Sequence, residues 1–264
     1  MATLSWSSKE FKTKNSNQDD HEHHTNQSSG NMKTIDVCLS PELMHLYEVQ
    51  DRTVVVVDIL RATSCMVTAF AHGVESITPV ANLEECRKMK TKGFVISGER
   101  DGKKVDGFDK GNSPFEYMND QVRGLKLAFT TTNGTQAIEK AKGAKEVIIG
   151  SFLNLTSVVR YLLLGENNVL IVCAGWKGRV NLEDTLFAGA VVEKLKDYLG
   201  PDCDAPLAAQ HLYNMAKNDM VKFLSESSHV RRLNRLNVHK DIEFCVTPDQ
   251  YKALPKLERG VLVI

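Results

Sequence analysis

Four polar clusters in this sequence follow apolar runs, and each carries groups able to hold a phosphate, a metal ion or another acid. Asp58 and Arg61 come directly after Val54–Val57. An arginine one turn into a helix start, beside free backbone N–H groups, suits a phosphate oxygen. A helix-capping aspartate beside a surface arginine fits the same letters. The run Thr130-Thr131-Thr132-Asn133-Gly134-Thr135 places hydroxyls, an amide and a glycine where a strand should pass into a helix. Such a turn can cup an anion with side-chain and backbone donors, or simply cap the helix. The third cluster runs from Gly178 to Thr185 and contains Arg179, Asn181, Glu183 and Asp184. The adjacent acids offer hard oxygen ligands of the kind magnesium takes. Asn181 and Asp184 also have capping-box spacing, so a purely local role stays open. Glu99-Arg100 and Lys110-Gly111-Asn112-Ser113-Pro114 form the fourth cluster, one acid with several donors. His229, in Ser-Ser-His-Val-Arg-Arg, reads first as a surface or capping residue and only second as a catalyst.

Together these groups describe an anion site that also holds carboxylates. Several other chemistries are excluded. No Gly-x-Gly-x-x-Gly follows a strand, no Gly-Lys-Ser/Thr marks a Walker loop, and no Gly-x-Ser-x-Gly elbow occurs. Leu60 stands two residues after Asp58, where the best-known strand-end aspartate phosphatases need a second acid. The six cysteines are scattered without a C-x-x-C pair, which removes zinc-type spacing and fits free thiols in a reducing cytosol. Thirty-three basic residues balance thirty-three acidic ones, so nothing points to nucleic acid or an acidic membrane surface as partner. No apolar run reaches the length of a membrane span, and the N-terminus lacks a secretory apolar core.

The clusters need strands and helices to position them. Val54–Val57 has no polar alternation, as expected of a strand buried on both faces. Ala62, Cys65, Met66, Ala69 and Phe70 then recur at helical spacing until Gly73. Strands are predicted at 34–39, 76–80, 94–98, 125–129, 146–149, 169–172, 242–246 and 261–264. Helices are predicted at 83–90, to about Ala141, after a cap at Asn154, around 188–199 and over 204–224. Residues 101–114 read as a long functional loop. Strand–loop–helix repetition implies an α/β fold, a three-layer α/β/α arrangement with a mainly parallel or mixed sheet. The Val54 and Val169 units share a plan, which leaves two similar, intertwined α/β subdomains open within residues 32–264. Residues 1–31 are polar, without periodicity, and are expected to be a disordered tail in which His21, His23 and His24 are solvated. Met32 is a second candidate start.

The chain resembles the 2-phosphosulfolactate phosphatase family. VDILRATS, SGERDG, GFDKGNSP, TTTNGT, GSFLN, CAG, LEDTLFAGA, SSHVRRL and DIEFC carry the resemblance, in family order, from about Lys33 onward. It implies a soluble, cytoplasmic, magnesium-dependent α/β phosphatase. Such an enzyme converts 2-phospho-3-sulfolactate to 3-sulfolactate and phosphate, a step toward coenzyme M in methanogens. Asp58, Arg61, Glu99, Thr131, Thr132, Asn133, Glu183 and Asp184 fall within the family's motifs. On our reading Asp58, Glu99, Glu183 and Asp184 hold Mg2+, and Asp58 and Arg61 are catalytic. Asn112, Ser113, Thr131, Thr132, Asn133, Gly134 and Thr135 bind substrate, with Arg100 or Arg179 on its sulfonate or carboxylate. Water attacks phosphorus, with Asp58 itself as the other nucleophile. Lys110 and Trp176-Lys177 depart from the family pattern. They bear on the exact substrate, and two alternatives stay in view: a phosphatase for another small phosphorylated hydroxy acid, and a non-catalytic anion-binding protein. A homodimer would be ordinary for such a fold.

Overall fold

The valine run is the centre of the molecule. In the computed structural model, which describes residues 32–264, it lies in β2 (Arg52–Val57), after β1 (Thr34–Cys38) and before α1 (Ala62–Ala71). The predicted alternation continues through β3 (Ser76–Pro79), α2 (Leu83–Lys90), β4 (Val95–Arg100) and a short β5 (Lys103–Lys104). Next come β6 (Lys126–Thr130), α3 (Gly134–Ala141), β7 (Glu146–Gly150), α4 (Leu155–Leu164), β8 (Asn168–Cys173), α5 (Leu182–Leu195) and β9 (Gly200–Pro201). Helices α6 (Asp204–Ala216), α7 (Met220–Leu224), α8 (Ser228–Asn234) and α9 (His239–Cys245) precede a hairpin of β10 (Lys256–Glu258) and β11 (Val261–Val263). The expected disordered tail, with His21, His23 and His24, lies outside the described residues. No helix among the described residues is long and apolar enough to cross a membrane.

Four local expectations change. Ile242–Val246, predicted as a strand, lies mostly in α9. Ile242, Cys245 and Val246 are buried together, a helical spacing that strand alternation in Asp-Ile-Glu-Phe-Cys had masked. The predicted 204–224 helix breaks where Asp219 caps α7, its side chain accepting from Lys222 N at 3.0 Å. Asn154 does not cap α4. Its Oδ1 accepts from Ser151 N, and its amide donates to the carbonyls of Ile149 and Ala253. Asn181 makes no capping bond either, and turns instead to His229.

The strands form one mixed sheet in the order β5-β4-β6-β3-β11-β10-β7-β2-β8-β1-β9. It consists of two parallel halves, β3-β6-β4 and β7-β2-β8-β1-β9, spliced by the antiparallel β10–β11 hairpin. The hairpin runs antiparallel to both flanking strands, and one residue pair makes each join: Lys256 with Ile148, Leu262 with Ile77. The two halves therefore point in opposite directions along the sheet. On a flat sheet their C-terminal rims would lie on opposite edges. They meet because the sheet curls around α1 and α3, so the structure is richer than three flat layers.

Burial follows from that curl. Val54 and Val56 pack into a core with α1, α3, Leu127 and Phe129 of β6 and Ile77 of β3. Val55 and Val57 face the opposite core, against α4, α5 and α6. All four are fully buried, each worth on the order of 1.5–3 kcal/mol of transfer free energy as an upper figure. Enclosed between the halves, α1 buries every residue from Ala62 to Phe70, which is why it carries no polar face.

Candidate active site

The carboxylates meet at the exits of β2 and β8, which are adjacent and parallel. Asp184 reaches from the first turn of α5 to the other strand's turn. Its Oδ1 accepts from Ile59 N at 2.8 Å and its Oδ2 from Gly175 N at 3.0 Å. Both of its oxygens are thereby engaged. Burial, with the charges of Glu183 and Asp58 behind it, holds the Asp184 carboxyl well above its ordinary range. Asp58 Oδ1 accepts from Ala62 N at 3.2 Å, at the start of α1. Burial pushes Asp58 up to about 6; the Ala62 N–H opposes this, Glu99 and Glu183 add to it, and His229 opposes it. The Leu60–Arg61 peptide in this turn is cis.

The facing rim comes from β4 and β6. Glu99 ties its parts together: Oε1 accepts from Thr132 N at 2.8 Å and Oε2 from Gly102 N at 2.7 Å. Thr131 and Thr135 close on each other, with Thr135 N donating to Thr131 Oγ1 at 3.2 Å and Thr135 Oγ1 to Thr131 O at 3.0 Å. These two residues build the turn, and Thr132 and Asn133 are the ones exposed to the cavity. Gly134 is where the rims touch. A Cβ there would stand 2.8 Å from Asp58 Oδ2 and 2.8 Å from the Ala62 Cβ. Only a residue without a side chain lets α3 begin this close to Asp58.

A third wall comes from residues far away in sequence. His229 Nδ1 bonds Glu183 Oε1 and lies 3.1 Å from Asn181 Nδ2, while Nε2 has no partner among the described residues. Arg61 is buried and pairs with Asp241 of α9, and its Nη2 donates to Gly102 O at 2.8 Å. Asp241 Oδ1 also accepts from Ser113 Oγ at 3.0 Å. The Arg232 guanidinium stacks on Trp176, 3.8 Å from the ring centroid.

These walls enclose a cavity of about 220 Å3. Of the residues singled out from sequence, Asp58, Arg61, Glu99, Asn112, Thr132 and Asn133 line it. Glu183 stands behind His229, which does line it. Arg100 turns away, its Nη2 donating to Thr130 Oγ1 at 3.0 Å and its Nη1 to Glu99 O. Arg179 is exposed in a tight turn with Trp176, and Ser113 belongs to a neighbouring groove. Sequence reasoning assigned no role to Asp241, Arg232 or Trp176, and it ranked His229 low. Three of these four, His229, Arg232 and Asp241, did lie in the quoted stretches SSHVRRL and DIEFC, but neither period nor spacing marked them.

Four buried side-chain atoms have no hydrogen-bond partner among the described residues: Asn112 Oδ1, Thr132 Oγ1, Glu183 Oε2 and Arg232 Nη2. Three belong to the cavity lining and the fourth to the partner of His229. Leaving such a group unpaired costs about 1–3 kcal/mol, so three on one lining and a fourth just behind it mark a surface built to meet a polar ligand. Two acceptors, one hydroxyl and one guanidinium N–H suit an occupant with both cationic and anionic character, such as a metal-bound oxyanion.

Comparison with known proteins points to one phosphatase family. Residues 38–260 match the family described as 2-phosphosulpholactate phosphatase. A protein of Thermotoga petrophila is 44% identical over 231 residues, covering 87% of this chain and 98% of the relative. One of Caldanaerobacter subterraneus is 39% identical over 220 residues, 81% of this chain and 91% of the relative. One of Clostridium tetani is 35% identical over 232 residues, 86% and 99%. All three carry the name "Probable 2-phosphosulfolactate phosphatase". The family match spans every strand exit that builds the cavity, and the chain belongs to the 2-phosphosulfolactate phosphatase family.

Proposed function

We propose that this chain is a phosphoric monoester hydrolase that uses magnesium to convert 2-phospho-3-sulfolactate to 3-sulfolactate and phosphate. Membership of the family supports the reaction class and the substrate. The observation that carries the reading in the structure is three unpaired polar atoms, of Asn112, Thr132 and Arg232, on the lining of one cavity beside Asp58, with a fourth on Glu183 behind His229.

The donor set fits magnesium. Glu183 Oε2 is buried without a donor, and no donor reaches Asp58 Oδ2 among the described residues. Both oxygens of Glu99 and of Asp184 are bound to backbone N–H groups. No three His, Cys, Asp or Glu side chains among the described residues are grouped to enclose an ion unaided. Magnesium is commonly held by one or two carboxylates, with water and substrate phosphate completing its shell. Asp58 and Glu183 would hold it, and Glu99 and Asp184 would keep the two turns in place. When bound, the ion would polarise a phosphate oxygen and neutralise charge as the ester is cleaved.

The chain's own groups do the rest. Thr132 Oγ1 and the cavity-facing N–H groups of Arg61 receive phosphoryl oxygens. Asp241 holds Arg61 in place, leaving further N–H groups on the guanidinium free. The ionised Asp58 carboxylate takes a proton from the attacking water. His229 Nε2 is the nitrogen left to protonate the departing lactate oxygen. Phosphate release from synthetic 2-phospho-3-sulfolactate, with magnesium and with excess chelator, tests the proposal. Release with magnesium and none with chelator is expected. Binding of the ester without phosphate release would leave only an anion-binding protein.

A further inference from the structure

We infer that Arg232 holds the substrate's second acid group, an oxyanion other than the phosphate being cleaved. This inference deepens the phosphatase reading above and rests on it. The Arg232 Nη2 is buried and has no partner among the described residues. An arginine so placed is incomplete without an acceptor, and it lines the cavity that contains Asp58.

The other arginines near the cavity either serve the phosphate, as Arg61 does, or are bonded or exposed away from it. Arg61 is neutralised by Asp241 and bonded to Gly102 O. Arg100 is bonded to Glu99 O and Thr130 Oγ1 and does not line the cavity. Arg179 is exposed and outside it. Arg235 lines the mouth but is itself exposed, so its charge is screened by water. Arg232 alone combines half-burial, a free N–H and a fixed plane.

Trp176 supplies that plane. Stacking at 3.8 Å fixes the guanidinium orientation without using its in-plane N–H donors. A fork set in advance matches carboxylate or sulfonate oxygens with little ordering left to do on binding. Arg232 on α8 and Asp58 at the exit of β2 border one cavity of about 220 Å3. A three-carbon ester can therefore present its phosphate to the Asp58 end while an acid group meets Arg232. This makes Arg232 a specificity residue: it reads the part of the substrate that is not cleaved.

The test compares Arg232→Gln and Arg232→Lys with the parent enzyme on three esters. These are 2-phospho-3-sulfolactate, 2-phospholactate, which keeps only the carboxylate, and isopropyl phosphate, which has neither acid. In Arg232→Gln the preference in kcat/KM for phosphosulfolactate over isopropyl phosphate should shrink by roughly 10- to 100-fold, mostly through KM. Arg232→Lys should restore part of it. If the preference over phospholactate shrinks by the same factor, the group held is the sulfonate; if it does not, the carboxylate. An equal loss on all three esters would mean a packing role and would overturn the inference, as would an unchanged preference. Calorimetric binding of 3-sulfolactate separates the two readings. If the parent enzyme cleaves none of the esters, the phosphatase reading fails. Equal sulfolactate affinity in parent and Arg232→Gln then overturns this inference, and loss of affinity in the variant sustains it.

Discussion

The half-sheet β7-β2-β8-β1-β9 and the half-sheet β3-β6-β4 bring different equipment to the cavity. The first is packed on both faces, with cores extending to α4, α5 and α6 on one side and to α1 and α3 on the other. It holds Asp58, Glu183 and Asp184, three acids that a less rigid support would let move apart. The second is covered on its outer face by the small cluster of Val80, Cys86, Ile96, Phe108 and Ala128 under α2. It contributes mainly polar turns, Thr132 and Asn133, with Glu99 as the brace between them. Concentrated negative charge sits where packing is deepest. The anion-receiving donors sit on the lighter wing, which reaches the acids because the sheet curls around α1 and α3 and brings the two rims together.

Variants on each side of that junction should differ in kind. The largest effect belongs to Asp58→Asn, which should lower magnesium-supported phosphate release by about 10^3-fold or more while circular dichroism and the thermal melt keep their native form. Near-normal turnover would remove Asp58 from the chemistry. Asp241→Ala strands the buried Arg61 charge and should cost about 3–5 kcal/mol of stability in denaturant unfolding. A change under ~1 kcal/mol would show that water takes over the pairing. Gly134→Ala drives a methyl group into the contact between the wings, 2.8 Å from Asp58 Oδ2. It should cost about 1–3 kcal/mol and lower kcat; normal activity would mean that the rims can separate without consequence.

The smallest predicted effect concerns pH. Asp58 is raised from 3.8 to about 6, so between these values the folded state binds more protons than the unfolded one. The part that Asp58 contributes to the stability of the metal-free protein should therefore fall as pH rises from about 4 to above 6, by at most ~3 kcal/mol. Asp58→Asn should remove that fall and be the more stable protein above pH 6. Parallel curves for the two proteins would contradict the shift. Magnesium should reverse the trend in the parent enzyme, because a cation favours the ionised carboxylate.

Much of this was legible in the sequence for a physical reason. A strand buried on both faces is written as an unbroken apolar run, so Val54–Val57 announces its own end and makes Asp58 conspicuous. The same logic exposes Glu99, the threonine turn and Glu183–Asp184, each at a strand exit. What sequence hides is pairing at a distance. Asp241 matters because it meets Arg61, 180 positions earlier, and His229 because it meets Glu183. Neither residue stands out beside its own neighbours. Asp184 mimicked a local cap, yet it joins the exits of β2 and β8. The curl of the sheet was equally hidden, since it depends on one-pair joins at a C-terminal hairpin that no local period encodes.

A crystal structure with magnesium and phosphate bound tests the central claim most directly, that the two rims close on one ion and one phosphoryl group. The prediction is an ion about 2.0–2.1 Å from Asp58 Oδ2 and Glu183 Oε2, with phosphate oxygens reaching Thr132 Oγ1 on the opposite rim. An ion seated away from Asp58, or a phosphate held by one rim alone, would contradict it.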